Sequence, residues 1–143
     1  MDDTDYKILF AVNSGVVRYT SLAKKLGIPV STVHFWMKKL EKSKVIRRYV
    51  GDIDWAACGF PIISYVFVNI DVDLLKKMRK TQEMLLKELL GLAYVVEGHV
   101  ITGEADILLK IISRDTGQLK DILLNHIDSK DGVVKTKTAI VLE

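Results

Sequence analysis

Cysteine is nearly absent from this chain. Cys58 is the only one in 143 residues, which excludes an intrachain disulfide and a thiolate metal cluster. It lies in Ala56-Ala57-Cys58-Gly59, where nothing marks an activated thiol, and reads as a small buried hydrophobe. The histidines His34, His99 and His126 are too far apart for metal-ligand spacing, so no metal site is expected. A Gly-rich phosphate loop, a nucleophile elbow and HExxH are all missing, which removes the common catalytic motifs. Long apolar runs are lacking too. The longest uncharged stretch, Trp55 to Ile70, contains Gly59, Pro61 and Asn69 and is too short to span a bilayer. A soluble, cytoplasmic protein without catalytic residues, membrane partner or bound cofactor is the expectation.

What the chain does have is a core-forming composition, 49% apolar and 27% charged, together with a lopsided charge distribution. Between Thr20 and Arg48 stand Lys24, Lys25, Lys38, Lys39, Lys42, Lys44, Arg47 and Arg48 against the single acid Glu41. That stretch is +7 in a chain of +3, leaving −4 for the rest. Such an excess is the footprint expected for a phosphate-backbone partner, and it would equally suit a solvated basic helix pair.

Helical spacing organises the N-terminal third. Asp2, Asp3 and Asp5 precede Ile8, Leu9 and Val12, which predicts a helix from about Thr4 to Asn13. Thr20 is the expected N-cap of a second helix that buries Leu22, Ala23 and Leu26 and stops at Gly27. After Ile28-Pro29-Val30 a third helix buries Val33, Met37 and Leu40. It turns Ser31, Thr32, His34, Phe35, Lys38 and Lys39 more toward the other side. Two helices about a short Gly-containing turn form the helix-turn-helix pattern, whose second helix enters the major groove. Val45 to Val50 has strand composition; with Arg47 and Arg48 it forms either a small basic wing or only a link.

From Ile62 the pattern alternates. Strands are expected over Ile62–Ile70, Ala93–Ile101, Asp106–Ile112 and Val133–Leu142. One helix is expected from Asp73 to Leu90 and another around Leu119, Ile122, Leu123 and Ile127. Gly98 marks a bulge or a close approach. The order β-α-β-β-α-β is that of a ferredoxin-like domain. The expected fold is therefore α+β: residues 1–50 a winged helix-turn-helix, 51–60 a connecting strand or linker, and 61–143 the ferredoxin-like domain. Both faces of Ile62–Ile70 are largely apolar, which favours self-association.

Laid out in this way, the chain resembles the leucine-responsive, or Lrp/AsnC, family of regulators over nearly its whole length. The marks are Asp2-x-x-Asp5-x-Lys7-Ile8-Leu9, Leu22-Ala23-Lys24-Lys25-Leu26-Gly27-Ile28, Ser31-Thr32-Val33, Leu40-Glu41 and Val45-Ile46. Thr102-Gly103-Glu104-Ala105-Asp106 and Thr136-x-Thr138-x-x-Val141-Leu142 follow. The resemblance implies a sequence-specific, double-stranded-DNA-binding transcription regulator. Its second domain would form homodimers and higher even-numbered oligomers, with assembly modulated by a small effector such as an amino acid. Ser31, Thr32, His34, Phe35, Lys38, Lys39, Arg47 and Arg48 are then the expected DNA contacts, with Lys38 and Lys39 on phosphates. Gly103, Glu104, Ala105, Asp106, Thr136 and Thr138 are the expected effector contacts, although Gly103 and Asp106 would also suit a plain hairpin turn.

The chain departs from the family pattern at three places: Pro29 where a capping Ser is usual, Trp36 where Arg is usual, and Lys44 where Gly is usual. Two other readings share the layout. An architectural, weakly specific DNA binder suits the pI near 8.9. A tetrapyrrole decarboxylase of related layout needs a basic, histidine-containing pocket that the scattered histidines do not supply.

Overall fold

The computed structural model describes residues 1–143, and the chain divides into two compact units, Met1–Asp52 and Ile53–Glu143. The first unit is three helices: α1 (Asp3–Asn13), α2 (Tyr19–Leu26) and α3 (Val30–Lys42). A reciprocal capping box starts α1: Asp2 accepts from the Asp5 N–H at 3.1 Å, and Asp5 accepts from the Asp2 N–H at 3.0 Å. Helix α2 begins at Tyr19 with no side-chain cap, so Thr20 lies inside the helix instead of capping it. Gly27 ends α2 in the left-handed region at φ 67°, where the missing Cβ removes the penalty. Pro29 precedes α3 at φ −62°, already close to a helical value, so it replaces the usual cap without breaking the helix. The core joins Ile8 and Ala11 of α1 to Leu22, Ala23, Val33, Met37 and Leu40, all buried. Each fully buried aliphatic side chain contributes roughly 1.5–3 kcal/mol.

The expected strand over Val45–Val50 does not form, and neither does a connecting strand within residues 51–60. Those residues are irregular apart from one 3₁₀ turn, Ala56–Cys58. A strand persists only when a neighbour takes up its N–H and C=O groups, and this segment pairs with no strand in the chain. Cys58 sits on that exposed turn, so the expectation of a buried thiol is corrected.

The second unit is a four-stranded antiparallel sheet in the order β2-β3-β1-β4, built from β1 (Ile62–Ile70), β2 (Val95–Val100), β3 (Ile107–Ser113) and β4 (Val133–Ile140). Period-two alternation turns Val66, Val68, Ile107, Leu109 and Ile111 toward the helices, where they form a core with Leu75, Leu85, Leu89, Leu119 and Ile127. The helix expected from Asp73 to Leu90 is instead two, α4 (Val72–Lys77) and α5 (Gln82–Leu90). Asp71 caps α4 by accepting from the Leu74 N–H, Thr81 caps α5 by accepting from the Met84 N–H, and Arg79 between them takes φ 55°. Helix α6 (Thr116–Asp121) continues into a π-helical turn, Ile122–Ile127. Gly98 is a close approach: a Cβ there would meet side-chain carbons of Leu109 and Leu86 at 2.9 Å. No helix is long and apolar enough to cross a membrane.

Candidate functional site

Helix α3 has one buried face. Val33, Met37 and Leu40 are 0–2% exposed, and at 100° per residue Ser31, Phe35, Lys38, Lys39 and Lys42 fall on the opposite side. Phe35 is 63% exposed in the middle of that side, flanked by lysines one turn away. Trp36 explains part of this geometry. It packs against the helical core, meets Phe35 edge-on with ring centroids 5.3 Å apart, and carries the Lys39 ammonium 4.4 Å from its own centroid. Trp36 is therefore the anchor of the outward face. His34 lies to the flank, its ring edge-on to Tyr19 of α2 at 5.5 Å, and Thr32 is partly buried.

The charge on this unit is not neutralised from within. Lys80–Glu88 is the lysine–carboxylate pair of the chain, His99–Glu97 and His126–Asp121 are histidine–carboxylate contacts, and none of the three involves a basic residue between Thr20 and Arg48. Glu41, the one acid of the stretch, accepts a 2.8 Å hydrogen bond from the Tyr49 hydroxyl. Partial burial first, then this bond and the Glu41 charge, push the Tyr49 phenol up to about 12. The same contact ties the irregular segment that carries exposed Arg47 and Arg48 back to the end of α3. Lys44, where the family usually has Gly, takes φ 62°, which accounts for the glycine preference at that turn.

A second candidate site lies in the other unit, on the sheet face away from the helices. A cavity of about 280 Å³ opens between the β2–β3 loop and strands β1 and β4. Glu104 and Ala105 of the loop line it, as does Thr138 of β4. Gly103 shapes the loop at φ 125° but does not line the cavity. Asp106 and Thr136 are engaged elsewhere. Asp106 accepts from the Ile70 N–H at 2.9 Å and pins the loop to β1, while the Thr136 hydroxyl donates to Asp128 at 3.0 Å. Phe67, Asn69, Lys135, Lys137 and Ala139 complete the lining and were not among the residues expected from sequence. The antiparallel register sets Asn69 against Lys135, Phe67 against Lys137 and Tyr65 against Ala139, so one face gathers them all. The alternation in Lys135-Thr136-Lys137-Thr138-Ala139 was the signal that could have placed them.

Comparison with known proteins agrees with both halves. A winged helix-turn-helix DNA-binding family matches residues 1–47, and the Lrp/AsnC ligand binding domain family matches residues 65–143. The HTH-type transcriptional regulator FL11 of Pyrococcus horikoshii is 30% identical over 144 residues, covering 100% of this chain and 90% of the relative. The structure of E. coli AsnC superposes with a TM-score of 0.75 at 25% identity, over 100% of this chain and 93% of that one. A transcriptional regulator from Neisseria meningitidis, solved as a complex with L-Met, superposes with a TM-score of 0.79 over 100% of this chain and 90% of that one. At 21% identity that likeness is one of fold.

Proposed function

The chain belongs to the Lrp/AsnC family, and on that premise we propose that it regulates transcription by binding specific DNA sequences as an oligomer whose assembly a small ligand biases. The observation that carries the DNA reading is the outward face of α3: three lysines around an exposed Phe35, with no acid of the chain paired to them. Lys38 and Lys39 are the phosphate contacts, and Phe35, with Ser31 and Thr32, stands toward base edges in the major groove. His34 contributes from the flank, oriented by Tyr19. Arg47 and Arg48 reach the backbone beside the groove. The relatives are named as transcriptional regulators, which favours this reading over an enzyme, and a DNA-binding role fits a cytoplasmic location.

The uncovered sheet face supports a homodimer and higher even-numbered assemblies. Ile63 and Tyr65 of β1, which do not line the cavity, are only partly covered, a strip that a second copy would bury. A twofold dimer also presents two α3 helices to half-sites about 34–36 Å apart. The effector occupies the cavity beside Glu104, Ala105 and Thr138, with Gly103, Asp106 and Thr136 supporting it from behind. Drawing on the L-Met complex of the Neisseria relative, the effector class is an amino acid. Its influence on DNA binding follows from unequal affinity for two assembly states.

Footprinting over promoter and random duplexes tests the specificity. Discrete protected windows separated by about one helical turn are expected. Uniform protection of both duplexes would leave an architectural binder in its place.

A further inference from the structure

Resting on the ligand reading of the sheet-face cavity, we infer that its ligand is an acidic amino acid, with one ammonium and two carboxylate groups. The charged groups that line the cavity are Lys135, Lys137 and Glu104, a balance of +1. None of the three takes part in an ion pair of the chain. Asp106, the other acid of the loop, is already the acceptor for the Ile70 N–H and lines no part of the cavity. A neutral amino acid satisfies Glu104 with its ammonium and one lysine with its carboxylate, and leaves the second lysine unanswered. A second carboxylate answers it. A basic amino acid would instead bring a second ammonium against the lysine pair.

The geometry suits a short dicarboxylate. Lys135 and Lys137 are two apart on one strand, so their stems rise from the same face about 6.7 Å from each other. Flexible lysine stems let the two ammonium groups converge on carboxylates closer together than that. Phe67, Ala105 and Ala139 supply an apolar wall for the carbons between the carboxylates, and the Asn69 side-chain amide can donate or accept at the rim.

The decisive comparison pairs isosteres that differ by one charge. The full chain is titrated by calorimetry and thermal shift with L-glutamate, L-glutamine, L-aspartate, L-asparagine and L-lysine at matched ionic strength. At least one acid should bind about tenfold or more tighter than its amide, the worth of one charge-assisted contact, with L-lysine weakest. Lys137→Met or Lys135→Met should collapse the acid-to-amide ratio toward one while circular dichroism is unchanged. Glu104→Gln should weaken L-glutamate more than glutarate, which lacks the ammonium. Amides binding as tightly as acids, or a ratio that survives both lysine substitutions, would overturn the inference while leaving the cavity a ligand site. If none of the five binds, the inference is overturned; L-methionine titrated alongside them keeps the amino-acid reading of the cavity if it binds, and ends that reading too if it does not.

Discussion

Replacing Phe35 by alanine separates readout of DNA from folding. With 63% of its surface exposed, outside the buried helical core and edge-on to Trp36 at 5.3 Å, Phe35 contributes little to that core, so the stability loss should stay below about 1 kcal/mol. Its place among Ser31, Lys38 and Lys39 puts an apolar ring where a thymine 5-methyl group would meet it in the major groove. Covering one methyl group is worth roughly 0.8 kcal/mol, about fourfold in affinity at each half-site and about 15-fold when both half-sites of a twofold dimer are affected. The assay begins by selecting a preferred duplex from a random pool, then replaces its thymines one at a time by uracil, which lacks only the methyl. Wild type should weaken about fourfold at one thymine position per half-site, and Phe35→Ala should bind the thymine and uracil duplexes equally. A uracil penalty absent at every position in the wild type, or undiminished in the variant, would refute the assignment.

Three further substitutions probe the fold. Lys44→Gly relieves a left-handed residue at φ 62°, and should raise urea-measured stability by about 0.5–1 kcal/mol after the added freedom of the unfolded glycine is offset. Gly98→Ala places a methyl 2.9 Å from carbons of Leu109 and Leu86. Because those are the ends of adaptable side chains, the cost should be about 1–2 kcal/mol, seen as a Tm lower by several degrees. Tyr49 holds its proton up to about 12 in the folded chain against 10.0 ordinarily, so the stability it adds is complete below pH 10 and disappears as the pH rises through 12. The Tm difference between wild type and Tyr49→Phe should therefore shrink over that window, and a constant difference would exclude the linkage.

Local periodicity made most of the fold legible. Val33, Met37 and Leu40 recur at helical spacing and are buried; Val66 and Val68 alternate and are buried. What local pattern obscured were places where short-range chemistry interrupts it. The Leu74 to Leu89 stripe conceals two helices because the Asp71 and Thr81 caps and the left-handed Arg79 act on backbone N–H groups and φ, which hydrophobic spacing does not register. Val45–Val50 carries strand-forming residues, yet strand formation depends on a partner that the chain does not contain. The ligand cavity was half legible. Glu104, Ala105 and Thr138 line it, but Asn69 and Lys135 meet only through a strand pairing that spans the length of the second unit. Asp106 and Thr136, both plausible ligand groups by chemistry, make hydrogen bonds within the chain, to the Ile70 N–H and to Asp128 respectively.

The salt dependence of DNA affinity, measured for wild type and Lys38→Ala on the same selected duplex, bears most directly on whether the outward face of α3 is the DNA contact. Each lysine–phosphate pair that the substitution removes should make the slope of log affinity against log salt shallower by about 0.9, or by about 1.8 for a dimer with one such pair in each half-site. Between 50 and 200 mM salt, a slope change of one pair corresponds to an affinity ratio about 3.5-fold smaller. A steep wild-type slope that becomes shallower by this amount in the variant is the expected result. A slope that Lys38→Ala leaves unchanged, with affinity also unchanged, would remove Lys38 from the DNA contacts, and the same result for Lys39→Ala and Lys42→Ala would contradict the assignment of the α3 face.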